Sequence, residues 1–350
     1  MIIKNNNREL TLLKSHQTPD YTCKTILSDS VFDYVELWLR NHSHNNDSYK
    51  SALFYWRQSK HFYNASLSLP IEARPLTAYY ACLNATKSLL AIHGISLTNI
   101  GHGITASRNT TIGNIRSDKV TFSGGGVLYE LSRILHESLV KQSYTIYDLL
   151  YNLPCIHRTF TITTSATELF IPICKCQYVM CNSTNFHSHL YFQIDKRYTH
   201  FNMLRNISQN FERTTLSDRQ AEDVYFRVKK HFDWNTHISI SNRIAELTSY
   251  HCKIRKYFHY ITSQQMLWYI KKELPRNSHI VDRSSMTIIY AVMHWLSELV
   301  RYKPDVFDKL MQSRYNWVLQ EFMIKSLPQF IDEISSEITG ANIMCTGIRK

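Results

Sequence analysis

Apolar residues recur at helical spacing over much of the chain. From Ser30, the positions Val31, Tyr34, Val35 and Trp38 fall three and four apart and predict a helix. A second helix is predicted from Ser48 to about Leu67, carrying Tyr55, Phe62 and Tyr63, before Pro70 and Pro75 interrupt the pattern. A third runs from Leu76 to Ile92 and stops at Gly94. Between Gly94 and Gly126 the chain is loop-like and holds seven of its nine glycines, with a strand through Lys119–Phe122. Helices over Val127–Glu137 and Tyr144–Tyr151 follow. From Thr159 to Ile194 the pattern changes. The runs TFTITTSA, ELFIPI, CQYVM and HLYFQI are rich in β-branched and aromatic residues and predict strands. Ser217 and Gln220 have capping-box spacing and predict a helix start that continues to about Phe232. Alternation through Lys253, Arg255 and Tyr257 fits a strand with one wet face. The strongest helical pattern is Ser285–Tyr302, stopped by Pro304. Helices over Val306–Lys325 and Gln329–Ile338 close the chain, and the Asn-rich first 28 residues read as loosely held.

These elements predict an α+β protein, predominantly helical, with a small antiparallel sheet inserted in the middle. The division expected is a loose segment 1–28, a helical half 29–153, a β-rich middle 154–262 with one helix, and a helical half 263–350 packed on the first. Hydrophobic residues make up 44% of the 350 and charged residues 19%, a globular balance. The eight cysteines lack framework spacing and read as reduced thiols. The opening MIIKNNNREL has no apolar core, and the stretch from Met286 to Leu296 is too short to span a bilayer. A cytoplasmic location without membrane insertion is therefore expected. The net charge of +12 suggests attraction to polyanions, nucleic acid or anionic lipid.

Two helices carry candidate chemistry. On Ser285–Tyr302, Ile289, Val292, Met293, Leu296 and Val300 form a core stripe. Tyr290, His294, Ser297 and Arg301, with Glu298 beside them, form a second face that reads either as a polar cleft wall or as a buried ion network. On Leu76–Ile92, Tyr79, Leu83, Leu89 and Leu90 can pack inward, while Tyr80, Asn84 and Lys87 share a stripe suited to an anionic or polar ligand. Elsewhere, residues 224–276 hold ten Lys/Arg against three Asp/Glu, interleaved with Phe232, Trp234, Tyr257, Phe258, Tyr260, Trp268 and Tyr269. Lys229, Lys230, Lys253, Arg255, Lys256, Lys271 and Lys272 are the phosphate-contact candidates if those rings are exposed for stacking. Cys174, Cys176, Cys181, His187 and His189 have donor chemistry for zinc, but the spacing makes no usual knuckle, so no metal or cofactor is assigned. Ser123–Gly126 precedes a helix and could offer amides to a phosphate, although it lacks the Lys and Ser/Thr of a P-loop.

The segments PLTAYYACLNATKSLL, GHGI at Gly101–Ile104, DKVTFSGGGVLYEL and LSELVRYKPDVF occur in that order and together resemble the YaaC-like family of bacterial proteins. The resemblance implies a cytoplasmic protein with Tyr80, Asn84, Lys87, His102, Gly103, Arg301, Tyr302 and Pro304 at signature positions. It carries no settled activity. The helix around Tyr79 and Tyr80 also looks like those of HEPN domains, whose ribonucleases typically place an Arg four to six residues before a His. This chain departs from that pattern: Arg57/His61, Arg227/His231 and Arg255/His259 have only three residues between them, and Arg243/His251 has seven.

Three functions are consistent with these features. The first is a nucleic-acid-binding protein, RNA favoured, in a bacterial defence or stress system. Arg301, His294 and Glu298 would then face Tyr80, Asn84, Lys87 and His102 across a cleft, with Gly103 and Tyr302 as further ligand-binding candidates; if RNA is cleaved, His102 or His294 would be the general acid/base and Arg301 would stabilise the phosphorane. The second is a non-enzymatic module that docks a protein partner. The third is a small-ligand enzyme using the same cleft.

Overall fold

The computed structural model describes residues 1–44, 46–106, 114–181, 184–199, 204, 206–215, 223–263, 267–274 and 279–344. Its helices are α1 (Val31–His42), α2 (Asp47–Ser68), α3 (Arg74–Ile92), α4 (Val127–Ile134), α5 (Ile146–Tyr151), α6 (His157–Thr164), α7 (Ile240–Ile254), α8 (Ser285–Tyr302), α9 (Pro304–Met311) and α10 (Asn316–Thr339). With its antiparallel sheets, the fold is α+β and mostly helical. The chain divides into two compact units. One, the sheet unit, comprises Met1–Ile26, Leu169–Ser278 and Gly340–Met344; the helical unit takes Leu27–Glu168 and His279–Thr339.

The sheet unit is built on strands 258–261, 267–271, 170–180, 187–194, 225–228 and 211–214, paired in that order, with 232–233 also on 187–194. The sheet is larger than the small insert expected. A bulge between Cys174 and Gln177 divides the longest strand. Before it, Phe170–Ile173 pair with Trp268–Lys271. Beyond it, the strand pairs with the N-terminal residues through Ile2↔Val179 and Thr11↔Gln177. Those first residues are therefore part of the sheet unit's core and not loose: Ile3, Leu10, Leu12 and Tyr21 are buried. A turn with Asn6 and Asn7 at positive φ, a conformation asparagine tolerates, folds Lys4–Asn5 onto Arg8–Glu9. Polar groups complete the attachment. His251 on α7 donates through Nε2 to the Ser15 carbonyl at 2.8 Å, leaving Nδ1 to accept from one hydroxyl of the Tyr21–Tyr178 pair, which lie 2.8 and 3.0 Å from it and bond to each other at 2.7 Å.

In the helical unit, α3 is the centre. Its small and apolar side chains are buried against α2, α8 and α10. Ser284 caps α8 by accepting from the Thr287 amide. A three-stranded sheet of Ile104–Ala106, Lys119–Phe122 and Gln142–Thr145 lies in the same unit.

Several local expectations are corrected. TFTITTSA begins as helix α6, in which Thr161 and Thr164 hydroxyls return to backbone carbonyls at Arg158 and Phe160. The stretch 253–257 ends α7 and turns through a 3-10 helix instead of forming a strand. Ser217 and Gln220 lie outside the described residues, and Tyr225–Val228, expected as helix, is a strand. The final helices divide at 311–316, not at Pro328, which sits inside α10. Proline at 328 removes a hydrogen bond to the carbonyl of Ile324; Ile324 is exposed, so water can replace it.

Candidate functional site: a tyrosine–histidine relay in the helical unit

The Gly101–His102–Gly103 segment is held by three successive carbonyls. Gly101 O accepts from the Val127 amide at 2.8 Å, His102 O from Leu128 at 3.1 Å, and Gly103 O from Ser123 at 3.0 Å. The first two donors are the free amides expected at the start of α4, so the Ser123–Gly126 turn has no such pair left for a phosphate. Instead the turn brings backbones together. Gly126 has φ 107° and ψ −177°, and a Cβ there would lie 2.4 Å from the Gly103 nitrogen. Gly103, with φ 80°, would put a Cβ 2.9 Å from the Leu128 nitrogen. Its place is conformational; the side chain able to meet a ligand is that of His102.

His102 is solvent-exposed, and its Nδ1 lies 2.6 Å from the Tyr79 hydroxyl. That hydroxyl is 3.2 Å from Tyr290, whose own hydroxyl reaches the His102 carbonyl at 3.4 Å. The chain can be satisfied in two directions. With Tyr290 donating to Tyr79 and Tyr79 to Nδ1, the neutral ring carries its proton on Nε2. Reversed, Nδ1–H donates to Tyr79, Tyr79 to Tyr290 and Tyr290 to the carbonyl, which frees the Nε2 lone pair. Nε2 itself has no hydrogen-bond partner among the described residues. Desolvation lowers the His102 pKa, the Lys87 charge lowers it further, and Glu298 opposes them. Burial raises both phenols, so Tyr79 and Tyr290 remain protonated.

His294 forms the floor of this group. Its ring centroid is 5.1 Å from Tyr79 and 5.8 Å from His102. At 6% exposure it is cut off from solvent, its Nδ1 finds no partner among the described residues, and burial depresses its pKa to about 4. It is neutral at ordinary pH and is not placed for proton exchange with a ligand. Indeed most of the second face of α8 is buried, including Tyr290 and Ser297; Glu298, Val300 and Arg301 lie nearer the surface.

The α3 stripe is partly exposed, as its spacing suggests. Tyr80 stacks on Phe62 at 5.2 Å. Asn84 spends its amide on the Tyr80 carbonyl at 2.8 Å, a bond within the helix. Lys87 lies over the Tyr55 ring at 5.4 Å, and burial lowers its pKa. Tyr79, Lys87, His102, Tyr290, His294 and Glu298 thus form one electrostatically linked group. Arg301 and Tyr302 are not part of it. Arg301 lies seven residues from His294, about 10 Å of helix, and covers the Tyr302 ring at 4.9 Å. No hydrogen bond, ion pair or ring contact joins it to Tyr80, Asn84, Lys87 or His102 among the described residues.

Sequence reasoning missed two residues. Tyr79 was expected as packing alone; the alternation of phenol positions on α3 and α8 does not reveal that its hydroxyl bridges to His102. Arg283 was not singled out. It is 4% exposed, pairs with Glu137 at 3.2 Å and lines a shallow open depression with Gly103, Ser123 and Tyr129.

The basic stretch of the sheet unit divides in two. Lys229, Lys230, Lys253 and Lys256 are exposed. Arg255 and Lys272 are 1% and 6% exposed and are corrected from phosphate contacts to structural groups. Arg255 donates to the carbonyls of Leu13 and Lys14 at 3.1 and 2.9 Å and to that of Phe258, and covers the Trp268 ring at 4.9 Å. Lys271 is half-buried over Phe170. Phe232, Trp234, Phe258, Tyr260 and Trp268 belong to the core, so five of the seven rings expected to stack on bases are inside, while Tyr257 and Tyr269 are half-buried. The Arg/His pairs are similarly engaged: Arg57 holds Glu36 at 3.1 Å and Arg227 holds Glu212 at 2.5 Å. Among the described residues no helix is long and apolar enough to cross a membrane.

These features define an α+β chain whose helical unit carries a tyrosine–histidine relay at the exposed end of GHGI. Residues 19–338 match the family described as YaaC-like Protein, and the chain belongs to that family. No curated protein and no solved structure matches it.

Proposed function

We propose that the helical unit binds a phosphate-bearing ligand at the Lys87–His102 face, with RNA the favoured polymer, and that His102 exchanges a proton with it through Nε2. The observation that carries this reading is the relay: a solvent-exposed imidazole has its inner nitrogen on a reversible hydroxyl chain and an ammonium in electrostatic reach. In one tautomer Nε2–H donates to a phosphate oxygen; in the other Nε2 takes a proton from an attacking hydroxyl. Lys87 supplies the charge opposite the phosphate, and Glu298 moderates the local field. The net charge of +12 favours a polyanion over a neutral ligand. A second reading, a small phosphorylated ligand in place of RNA, is favoured by the burial of five of the seven rings of the basic stretch, which reduces the stacking surface in that part of the chain.

Fluorescence anisotropy with labelled single-stranded RNA across a salt series tests the reading. The wild-type protein binds with a steep salt dependence, and Lys87→Gln weakens binding and lowers the salt slope by about one. Binding that Lys87→Gln and His102→Gln leave unchanged would place the RNA elsewhere. Absence of RNA binding alongside saturable binding of inorganic phosphate or a mononucleotide selects the small-ligand reading.

A further inference from the structure

A second cluster lies in the sheet unit, and strand register assembles it. Asp233 is directly opposite His187 in the antiparallel pairing of 232–233 with 187–194. His231 precedes Asp233 by two residues, the spacing that keeps side chains on one face of an extended chain. The rings of His187 and His231 accordingly lie side by side, with centroids 4.3 Å apart and planes at 30°. His187 Nε2 is 3.7 Å from Asp233 Oδ1. One donor atom from each of the three residues lies within 4.8 Å of the other two.

We propose that His187, His231 and Asp233 form a binding site for a divalent transition-metal cation of the Zn²⁺ class. A tetrahedral ion with bonds of about 2.0–2.1 Å needs donors about 3.3 Å apart. The donors reach that spacing by side-chain rotation, for which partly exposed groups have room. Two imidazole nitrogens and one carboxylate oxygen suit Zn²⁺, Co²⁺ or Ni²⁺ better than Ca²⁺ or Mg²⁺, which take oxygen ligands. The backbone next to the site is held in place: His189 Nδ1 bonds to the carbonyls of Val228 and Lys230 at 2.8 and 3.1 Å, fixing the residue before His231. Three protein ligands leave a position for water or an exchangeable ligand. The cysteines with zinc-donor chemistry, Cys174, Cys176 and Cys181, are not in the set. Cys176 is buried, and its thiol is pushed far above its ordinary pKa by desolvation. The proposal is independent of the His102 site.

Titration of the full-length protein with CoCl2, followed by competition with ZnCl2, tests it. The expected result is a visible ligand-field band without thiolate charge transfer, displaced stoichiometrically by Zn²⁺. His231→Ala and Asp233→Asn each weaken binding about tenfold or more, while circular dichroism reports an unchanged fold. Both substitutions fall at exposed positions, so folding is retained. No visible band, equal affinity in wild type and variants, or a thiolate band surviving in His231→Ala would overturn it.

Discussion

Gly126→Ala perturbs the His102 site without touching any of its side chains. The glycine's φ of 107° and ψ of −177° lie in a region nearly closed to other residues, which costs roughly 1–3 kcal/mol. The new Cβ also meets the Gly103 nitrogen at 2.4 Å, the Gly103 Cα at 2.5 Å and the Gly101 carbonyl at 2.8 Å, all of them backbone. Backbone cannot rotate aside, so the Gly101–Gly103 segment must separate from the start of α4. That breaks the bonds from Val127 to Gly101 and from Leu128 to His102, each worth about 1 kcal/mol. The expected loss is therefore about 3–5 kcal/mol, concentrated locally. Hydrogen exchange of residues 119–134, resolved by peptide, reads the opening free energy of this region directly. Gly124→Ala is the control: a Cβ there meets nothing within 4 Å, and the change stays within about 0.5 kcal/mol. Equal protection losses in the two variants would refute the reasoning, because they would mean that the close approach at Gly126 is not rigid.

His294 predicts a pH dependence. Its pKa is about 4 in the fold against an ordinary 6.5, so the folded state binds fewer protons between those values. The contribution, about 3 kcal/mol, is fully present above pH 6.5 and is lost as pH falls towards 4; urea midpoints over that range show the slope, and His294→Gln removes it. At His102, Lys87→Met raises the imidazole pKa by deleting a repelling charge, and Glu298→Gln lowers it by deleting an attracting one, both read by NMR titration of the ring. In the sheet unit, Arg255→Met removes the donor to the Leu13, Lys14 and Phe258 carbonyls and costs about 3 kcal/mol in urea unfolding. Lys253→Gln with Lys256→Gln, at exposed positions, changes stability by no more than about 0.5 kcal/mol.

Much of the helical framework is legible in the sequence because its signals are local. Ser285–Tyr302 has a cap, an apolar period and a terminating proline, and the strand Lys119–Phe122 is framed by turns. The errors arise where distant chain decides. Nothing in MIIKNNNREL announces that Ile3 will donate its amide to Tyr178, yet that pairing makes the N-terminal residues part of a core. Arg255 looks like a member of a basic surface until the Leu13 and Lys14 carbonyls appear beside it. Thr-rich 159–164 has strand propensity, but burial of Phe160 and side-chain bonds to the backbone accommodate it as helix. At the site, Tyr80, Asn84 and Lys87 can be picked out by spacing. The bridge from Tyr79 to His102 and Tyr290 cannot, since it joins residues 23 and 211 positions apart. The same limit applies to His187, His231 and Asp233, which register alone brings together.

The central claim is most directly tested by following the ring signals of His102 by NMR while a short ribo-oligonucleotide is added at low salt. The account predicts a saturable movement of those signals that tracks the binding isotherm and shifts to higher oligonucleotide concentration in Lys87→Gln. Binding that leaves the His102 ring unmoved would contradict it.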